Sequence, residues 1–366
     1  MTPRLKPLNR QIIVITGATS GIGLVTARNA ARAGARLVLA ARSEEALFRL
    51  EQELSHGGRH ATAVVADVGK PEDVQRIVRL AKERFGGFDT WVNNAGVTMY
   101  GKLMDEPIED MRRLFETNFW GLVYGSLEAA RYFMDRRQAG AIINVGSTLS
   151  ERALILQGMY SASKHAVKGF TDALRMELEK DGHPIAVTLV QPGAIDTPYR
   201  FHAKNYMDRL PTSPPPVYAP ETVARTILHC AETPQRHVYV GASGKGIPMA
   251  GWYAPRLTDL VMEALFVNRQ KTDRPARPRE QNGLDRPAGR LEERGGYEGH
   301  VSETSLYTTA SLHPFATGAL VAAGAFALVS LVTRGAVGPN PFRRSQVNGQ
   351  GQPRASASRQ TTPESG

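Results

Sequence analysis

Three side chains able to share one carbonyl oxygen lie between Asn144 and Lys164: the Ser147 hydroxyl, the Tyr160 phenol and the Lys164 amine. In a helix starting near Gly158, the four-residue spacing of Tyr160 and Lys164 stacks both on one face. A free tyrosine titrates at about pH 10, so acid/base work near neutrality needs a positive charge beside the phenol. Lys164 is placed to supply it. Ser147 ends an apolar run, AIINVGS, that reads as a strand leaving a core. Its hydroxyl would then sit at the strand's carboxyl end, where open α/β sheets bind ligands. The chemistry this set suits is proton transfer to or from an oxygen. A tyrosine and a lysine four apart are more often a packed ring and a solvated amine, so the neighbouring elements must decide.

Gln11–Thr16, QIIVIT, is apolar on both faces, the pattern of a strand buried in a parallel sheet. The turn Thr16-Gly17-Ala18-Thr19-Ser20-Gly21-Ile22-Gly23 follows, then a small-residue helix over Leu24–Ala33. Strand, glycine turn and helix in that order make a phosphate cradle, because glycines let the backbone approach and a helix N-terminus offers free N–H groups. The next strand, Ala35–Ala41, ends at Arg42, near where an NAD-binding unit usually has an acid for the ribose 2′-hydroxyl. Arg42 with the Ser20 hydroxyl suits a 2′-phosphate instead, since a guanidinium forks onto phosphate oxygens. NADP(H) is therefore favoured over NAD(H).

A third strand, Ala61–Ala66, leads to Asp67-Val68, where Asp67 is placed to accept from an adenine amino group, and Asp89–Asn93 runs into the turn Asn93-Asn94-Ala95-Gly96. The helical stretch Pro107–Met134 carries Asn118 in its middle, unfavourable there without partners; it bends the helix or holds a water. A strand over Pro184–Val190, the run Gln191-Pro192-Gly193-Ala194-Ile195-Asp196-Thr197-Pro198, a helix over Thr222–Ala231 and a strand over Val238–Gly241 complete the alternation. Strands and helices alternating over short links predict an α/β fold with a doubly wound, Rossmann-like parallel sheet.

The 366 residues, 42% hydrophobic, suffice for one globular domain plus extras. The single cysteine, Cys230, excludes an intramolecular disulfide and a cysteine-rich zinc site, and no metal is expected. Of the net charge of +10, much is terminal: Met1–Asn268 has 32 basic and 27 acidic residues, Arg334–Gly366 has 5 and 1. No nucleic-acid-binding motif accompanies it. The opening MTPRLKPLNR shows no apolar core of a signal peptide, so the catalytic domain is expected to be cytoplasmic.

Taken together, these residues resemble the short-chain dehydrogenases/reductases in their single-domain form. The resemblance runs from about Gln11 to Gly241 and consists of TGATSGIG at Thr16–Gly23, Asp67, NNAG at Asn93–Gly96, Asn118, Ser147, Tyr160 with Lys164, and Pro192-Gly193. Gly146 stands where many members carry a second serine. The resemblance implies hydride transfer between nicotinamide and a small-molecule carbonyl or alcohol. It implies Tyr160 as general acid/base, Lys164 on the nicotinamide ribose and favouring the phenolate, Ser147 on the substrate oxygen and Asn118 holding a relay water. It further implies a cofactor lined by Gly17, Ser20, Ile22, Asp67, Val68, Asn94, Ile195 and Thr197. Thr19, Gly21, Gly23, Arg42, Ala95, Gly96, Pro192 and Gly193 join these as candidate cofactor residues. A reading from another class is a cofactor-binding sensor or scaffold without turnover, against which the intact Ser147, Tyr160 and Lys164 set weighs.

Tyr199–Tyr218 reads as a loop of the kind that forms lids. Met99, Leu103, Leu154, Leu156, Met159, Tyr199 and Phe201 are candidates for an apolar substrate pocket. The domains expected are a tail over 1–10, a catalytic domain over 11–268, a flexible linker over 269–313, a hydrophobic helix over 314–333 and a disordered tail over 334–366. The linker follows from a composition rich in Arg, Pro, Glu and Gly. Phe315–Thr333 has no charge over nineteen residues, against the ~20 of a membrane-spanning helix. Its alternative is a helix docked on the domain. The arginines after it, Arg334, Arg343 and Arg344, favour a cytoplasmic tail, which conflicts with a cytoplasmic enzyme on a single span and leaves topology open. The expected partners are thus the small-molecule substrate, a membrane and a second copy in a homo-oligomer.

Overall fold

β-Branched residues on successive positions leave no polar face, and the strands they form are covered on both sides. The computed structural model describes residues 3–55, 60–241, 250–288, 290–313, 317–319 and 322–325. Seven strands form one sheet: β1 (Ile12–Thr16), β2 (Arg36–Ala41), β3 (Ala61–Val65), β4 (Thr90–Asn93), β5 (Gly140–Val145), β6 (Ile185–Pro192) and β7 (His237–Val240). Their spatial order is β7-β6-β5-β4-β1-β2-β3 and every pairing is parallel. The order reverses between β1 and β4, and the crevice beyond the strand ends there is the ligand position of such sheets.

Alternate residues of β1 feed opposite layers. Ile13 and Ile15 pack with Leu24, Ala27 and Ala30 of helix α1 (Gly21–Arg32), while Ile12 and Val14 join the layer holding Val74, Ile77 and Ala81. The helices that follow are α2 (Glu44–Leu54), α3 (Pro71–Phe85), α4 (Ile108–Phe115), α5 (Gly121–Arg136), α6 (Gly158–Lys180) and α7 (Pro220–Glu232). The stretch expected as one helix over Pro107–Met134 is divided by a π-helical turn, Glu116–Trp120, with Asn118 inside it. The Asn118 amide bonds to the Val97 backbone at both ends, its Oδ1 accepting from N–H at 2.8 Å and its Nδ2 donating to C=O at 2.9 Å. Insertions of this kind concentrate at functional sites.

The expected boundary at Asn268 is corrected. One compact unit spans Met1–Pro314. After α8 (Pro255–Arg269), the strand Lys271–Pro275 pairs antiparallel with Arg209–Pro211, and Val301–Ser302 pairs with Val217–Tyr218. Helix α9 (Leu306–Leu312) follows, and its Thr308 hydroxyl accepts from the Gly241 N–H just past β7. Composition suggested a linker because the stretch has few apolar residues. It is held instead by hydrogen bonds and ion pairs, with Leu284 as one apolar anchor, 1% exposed. Short strands at Lys204–Asn205, Arg209–Pro211 and Val217–Tyr218 likewise organise the expected loop after Tyr199.

Of the second unit, Phe315–Gly366, residues 317–319 and 322–325 are described and are helical. The expected hydrophobic helix and terminal tail lie largely outside the described residues. Among the described residues no helix is long and apolar enough to cross a membrane.

Candidate active site

Strand β5 delivers Ser147 two residues past its end, in extended backbone, where its hydroxyl accepts the Leu149 N–H at 3.1 Å and starts a short turn. Helix α6 brings Tyr160 and Lys164 to the same place. The two elements are tied below the site by buried amides: Asn93 Nδ2 donates to Asn144 Oδ1 at 2.8 Å, and Asn144 Nδ2 to the Thr171 hydroxyl of α6 at 3.0 Å. Such a satisfied buried network fixes register and orientation.

Lys164 is buried, its Nζ donating to the Val145 carbonyl at 2.9 Å and lying 5.8 Å from the centre of the Tyr160 ring. Burial pushes its pKa down to about 8. Burial pushes the Tyr160 phenol up, while hydrogen bonding to the Tyr199 and Ser147 hydroxyls pulls it back. The expected ammonium is therefore beside the phenol, but it sits over the ring face and is bonded to a carbonyl. The Tyr199 ring meets Tyr160 edge-on at 5.9 Å and its hydroxyl donates to Val97 C=O at 3.0 Å.

The glycine turn is built against the turn after β4. The Thr16 hydroxyl accepts the N–H groups of Asn94 and Ala95 at 3.0 and 3.1 Å, and Asn94 Nδ2 donates to the Thr16 carbonyl at 3.0 Å. Gly17 has φ +67°, and a Cβ there would lie 2.8 Å from Ala95 Cα. At Gly23 a Cβ would stand 2.1 Å from the Gly17 carbonyl oxygen. These glycines are required by close backbone approach.

One cleft of about 410 Å³ joins these parts. Gly17, Thr19, Ser20, Gly21 and Ile22 line it from the glycine turn, Arg42, Asp67 and Val68 from the ends of β2 and β3, and Asn94, Ala95 and Gly96 from beyond β4. Pro192, Gly193, Ile195 and Thr197 line the opposite lip, and Ser147, Tyr160 and Lys164 the floor. Gly23 and Asn118 are absent from the lining: the first lets α1 start against Gly17, and the second holds the Val97 backbone. Arg42 donates to the carbonyls of Gly283 and Leu284.

Residues 11–206 match the family model described as short chain dehydrogenase. An uncharacterized oxidoreductase of Bacillus subtilis, YxnA, is 48% identical over 87% of this chain and 90% of its own length. The chain belongs to the short chain dehydrogenase family. It is thus an oxidoreductase acting between an alcohol and a carbonyl. A protein named 11-beta-hydroxysteroid dehydrogenase A, from Sesamum indicum, is 36% identical over 70% of this chain and 76% of its own length. Among solved structures, a short chain dehydrogenase/reductase from Burkholderia phymatum shares the fold, with a TM-score of 0.59 at 24% identity over 75% of this chain and 100% of that one.

Several lining residues of this short chain dehydrogenase escaped the sequence reading. Of the apolar candidates, Leu154 and Tyr199 reach the cleft, while Met99 is fully buried in the core and Leu103 is half exposed. Met262 and Phe266 from α8, and Gly283, Pro287, Ala288 and Tyr297 beyond it, line the cleft without any motif to mark them. The one available signal was the cluster of glycines and prolines in a stretch otherwise read as a linker.

Proposed function

We propose that the protein transfers hydride between NADP(H) and a mostly apolar carbonyl or alcohol, with Ser147, Tyr160 and Lys164 as catalytic residues. The observation that carries this reading is that all three line the same cleft as the glycine turn. The residues fit a dinucleotide: Gly17 and Gly21 hold left-handed backbone that no side chain could follow without strain, and the Ser20 side chain makes no cap bond to the helix it precedes. The glycine turn would take the phosphates, Arg42 the 2′-phosphate, Asp67 and Val68 the adenine, and the lip from Pro192 to Thr197 the other end. The nicotinamide, when bound, supplies or accepts the hydride.

The chain's own groups handle the proton. Tyr160 gives its proton to the carbonyl oxygen in reduction and takes it back from the alcohol in oxidation. Ser147 accepts from Leu149, and its own O–H, which here bonds the Tyr160 phenol, would turn to donate to the substrate oxygen. The Lys164 charge, held by the Val145 carbonyl, favours the phenolate. Asn118, bonded to Val97 at both ends, acts by shaping the turn beside the site rather than by touching substrate. Leu149, Leu154, Tyr100, Met262 and Phe266 on the cleft wall support an apolar substrate, as does identity to a protein named for a hydroxysteroid. Attachment to a membrane through 314–333 is a further part of the proposal and rests on composition alone.

The test is turnover of purified full-length protein on aldehydes, ketones and alcohols with both cofactors, together with Arg42→Ala. Arg42 also bonds the carbonyls of Gly283 and Leu284, so some loss common to NADH and NADPH is expected. The excess loss for NADPH should be about tenfold or more, from the missing phosphate contact. Equal loss for both would remove the 2′-phosphate role.

A further inference from the structure

The stretch expected to be a linker crosses the mouth of the cleft. At one lip the Gly283 N–H donates to the His202 carbonyl at 2.6 Å, Arg42 donates to the Gly283 and Leu284 carbonyls, and Arg113 Nε donates to the Leu284 carbonyl at 3.0 Å. The Leu284 side chain is buried in the same apolar cluster as Tyr160. Over the glycine turn, the Leu291 N–H donates to the Thr19 carbonyl at 3.2 Å and the Gly21 N–H to the Glu292 carbonyl at 2.9 Å. The Glu293 carboxylate pairs with Arg28 of α1 at 2.7 Å. At the far lip, Asp196 Oδ1 accepts the N–H groups of Gly295 and Tyr297 at 3.1 and 3.0 Å, and Arg200 donates to the carbonyls of Gly295 and Gly296 at 2.9 and 2.8 Å. A Cβ at Gly295 would lie 2.2 Å from the Thr197 carbonyl oxygen, so the backbone itself seals that edge.

Among the residues this segment touches, Arg42, Thr19, Gly21 and Thr197 are ones assigned above to the dinucleotide, and Pro287, Ala288 and Tyr297 face into the cleft. We propose that residues 283–288 and 290–297 are a further cofactor-binding element, a strap forming the outer wall of the dinucleotide site, so that the cofactor exchanges only when the strap lifts. This rests on the dinucleotide reading of the cleft. The strap lies beyond the 11–206 stretch that matches the family. Its contacts are many and individually modest, so the closed state is strongly populated while opening stays accessible, the condition under which release limits exchange. Its anchors differ in kind: an apolar plug at Leu284, an ion pair at Glu293 and a shared carboxylate at Asp196. Loosening one therefore speeds exchange without dissolving the site.

The experiment uses the full chain with Arg28→Cys and Glu293→Cys joined by a short cleavable bis-maleimide. Neither residue lines the cleft, their side chains meet head to head, and the native Cys230 is buried and spared. NADPH release is followed by its fluorescence on displacement with excess NADP⁺, and association by stopped flow. Closing the link on the NADPH complex should slow release by about tenfold or more, and closing it beforehand should slow association comparably. Cleaving the linker should restore both rates, and Glu293→Ala without linker should speed release severalfold. Linked protein that binds and releases NADPH at the unlinked rates overturns the strap while leaving the cofactor reading intact. Wild-type protein that binds neither NADPH nor NADH overturns that reading and the strap with it.

Discussion

Burying an amine beside a phenol has a cost that can be measured apart from catalysis. Folded Lys164 titrates near pH 8 against about 10.4 for an exposed lysine. Between those values the unfolded chain holds a proton that the folded chain lacks, so stability rises with pH across that window. Below pH 8 both states are protonated and the burial penalty, on the order of 3 kcal/mol, is present in full. Lys164→Met should therefore abolish activity, raise the melting temperature at pH 7 and remove the rise between pH 8 and about 10.4, measured without added cofactor. Loss of the bond to the Val145 carbonyl offsets part of the gain but has no pH dependence in that window. Burial pushes the Cys230 thiol up to about 12, which gives the opposite slope in the upper part of this window, so the check is the difference between wild type and Lys164→Met. A difference that does not change with pH across it would contradict the buried amine. Tyr160→Phe makes the complementary case: it should keep cofactor binding and lower turnover roughly 10²- to 10⁴-fold, because it removes a proton donor and little packing. An unchanged rate would remove Tyr160 from the mechanism. Both residues were legible in the sequence because a four-residue spacing on a helix is a local geometric fact. Tyr199 was legible only as an apolar candidate, since its contact with Tyr160 depends on a segment almost forty residues away in the chain.

The elements read from the sequence were those whose cause is local. β1 and the glycine turn were recoverable because β-branched runs and glycine spacing act over a few residues, and the alternation of strands and helices then fixed the sheet. The π-helical turn at Glu116–Trp120 was not recoverable, although Asn118 marked the place: the bend depends on Val97, which lies in the loop after β4, 21 residues before Asn118 in the chain. The strap was missed for the same reason, being held through backbone carbonyls and arginines from four distant parts of the chain rather than through an apolar period. At this scale the glycine turn yields a sharp expectation. A Cβ at position 23 would fall 2.1 Å from the Gly17 carbonyl oxygen, and backbone cannot yield as a side-chain tip can. Gly23→Ala should cost ~1–3 kcal/mol of stability by overpacking and weaken both cofactors alike, since it displaces the cradle rather than any one phosphate contact. Calorimetry and cofactor titration check it. A variant with wild-type melting temperature and affinity would show that α1 does not start against Gly17 in solution.

For the molecule as a whole, the question is where the catalytic unit ends. Composition placed the boundary at Asn268, but the compact unit runs to Pro314. Ending the chain at Asn268 removes the strand paired with Arg209–Pro211, the strand paired with Val217–Tyr218, the buried Leu284 and the Thr308 hydroxyl that accepts from Gly241. Losing several such contacts should lower the melting temperature by roughly 10 °C or more and favour aggregation, since a domain of this size shifts about 2–4 °C per kcal/mol. Ending the chain at Pro314 should leave folding and turnover as in the full-length protein. The same pair of truncations isolates the segment after 314. If Phe315–Thr333 inserts into a bilayer, the full-length protein should sediment with membranes and resist high-salt and alkaline washes, and the chain ending at Pro314 should stay in the supernatant. Release of the full-length protein by salt alone would assign its attachment to arginines on acidic lipid headgroups rather than to an inserted helix. A chain ending at Asn268 that melts with the full-length protein would show that residues 271–313 contribute nothing to the fold, and would remove the strap from the outer wall of the site.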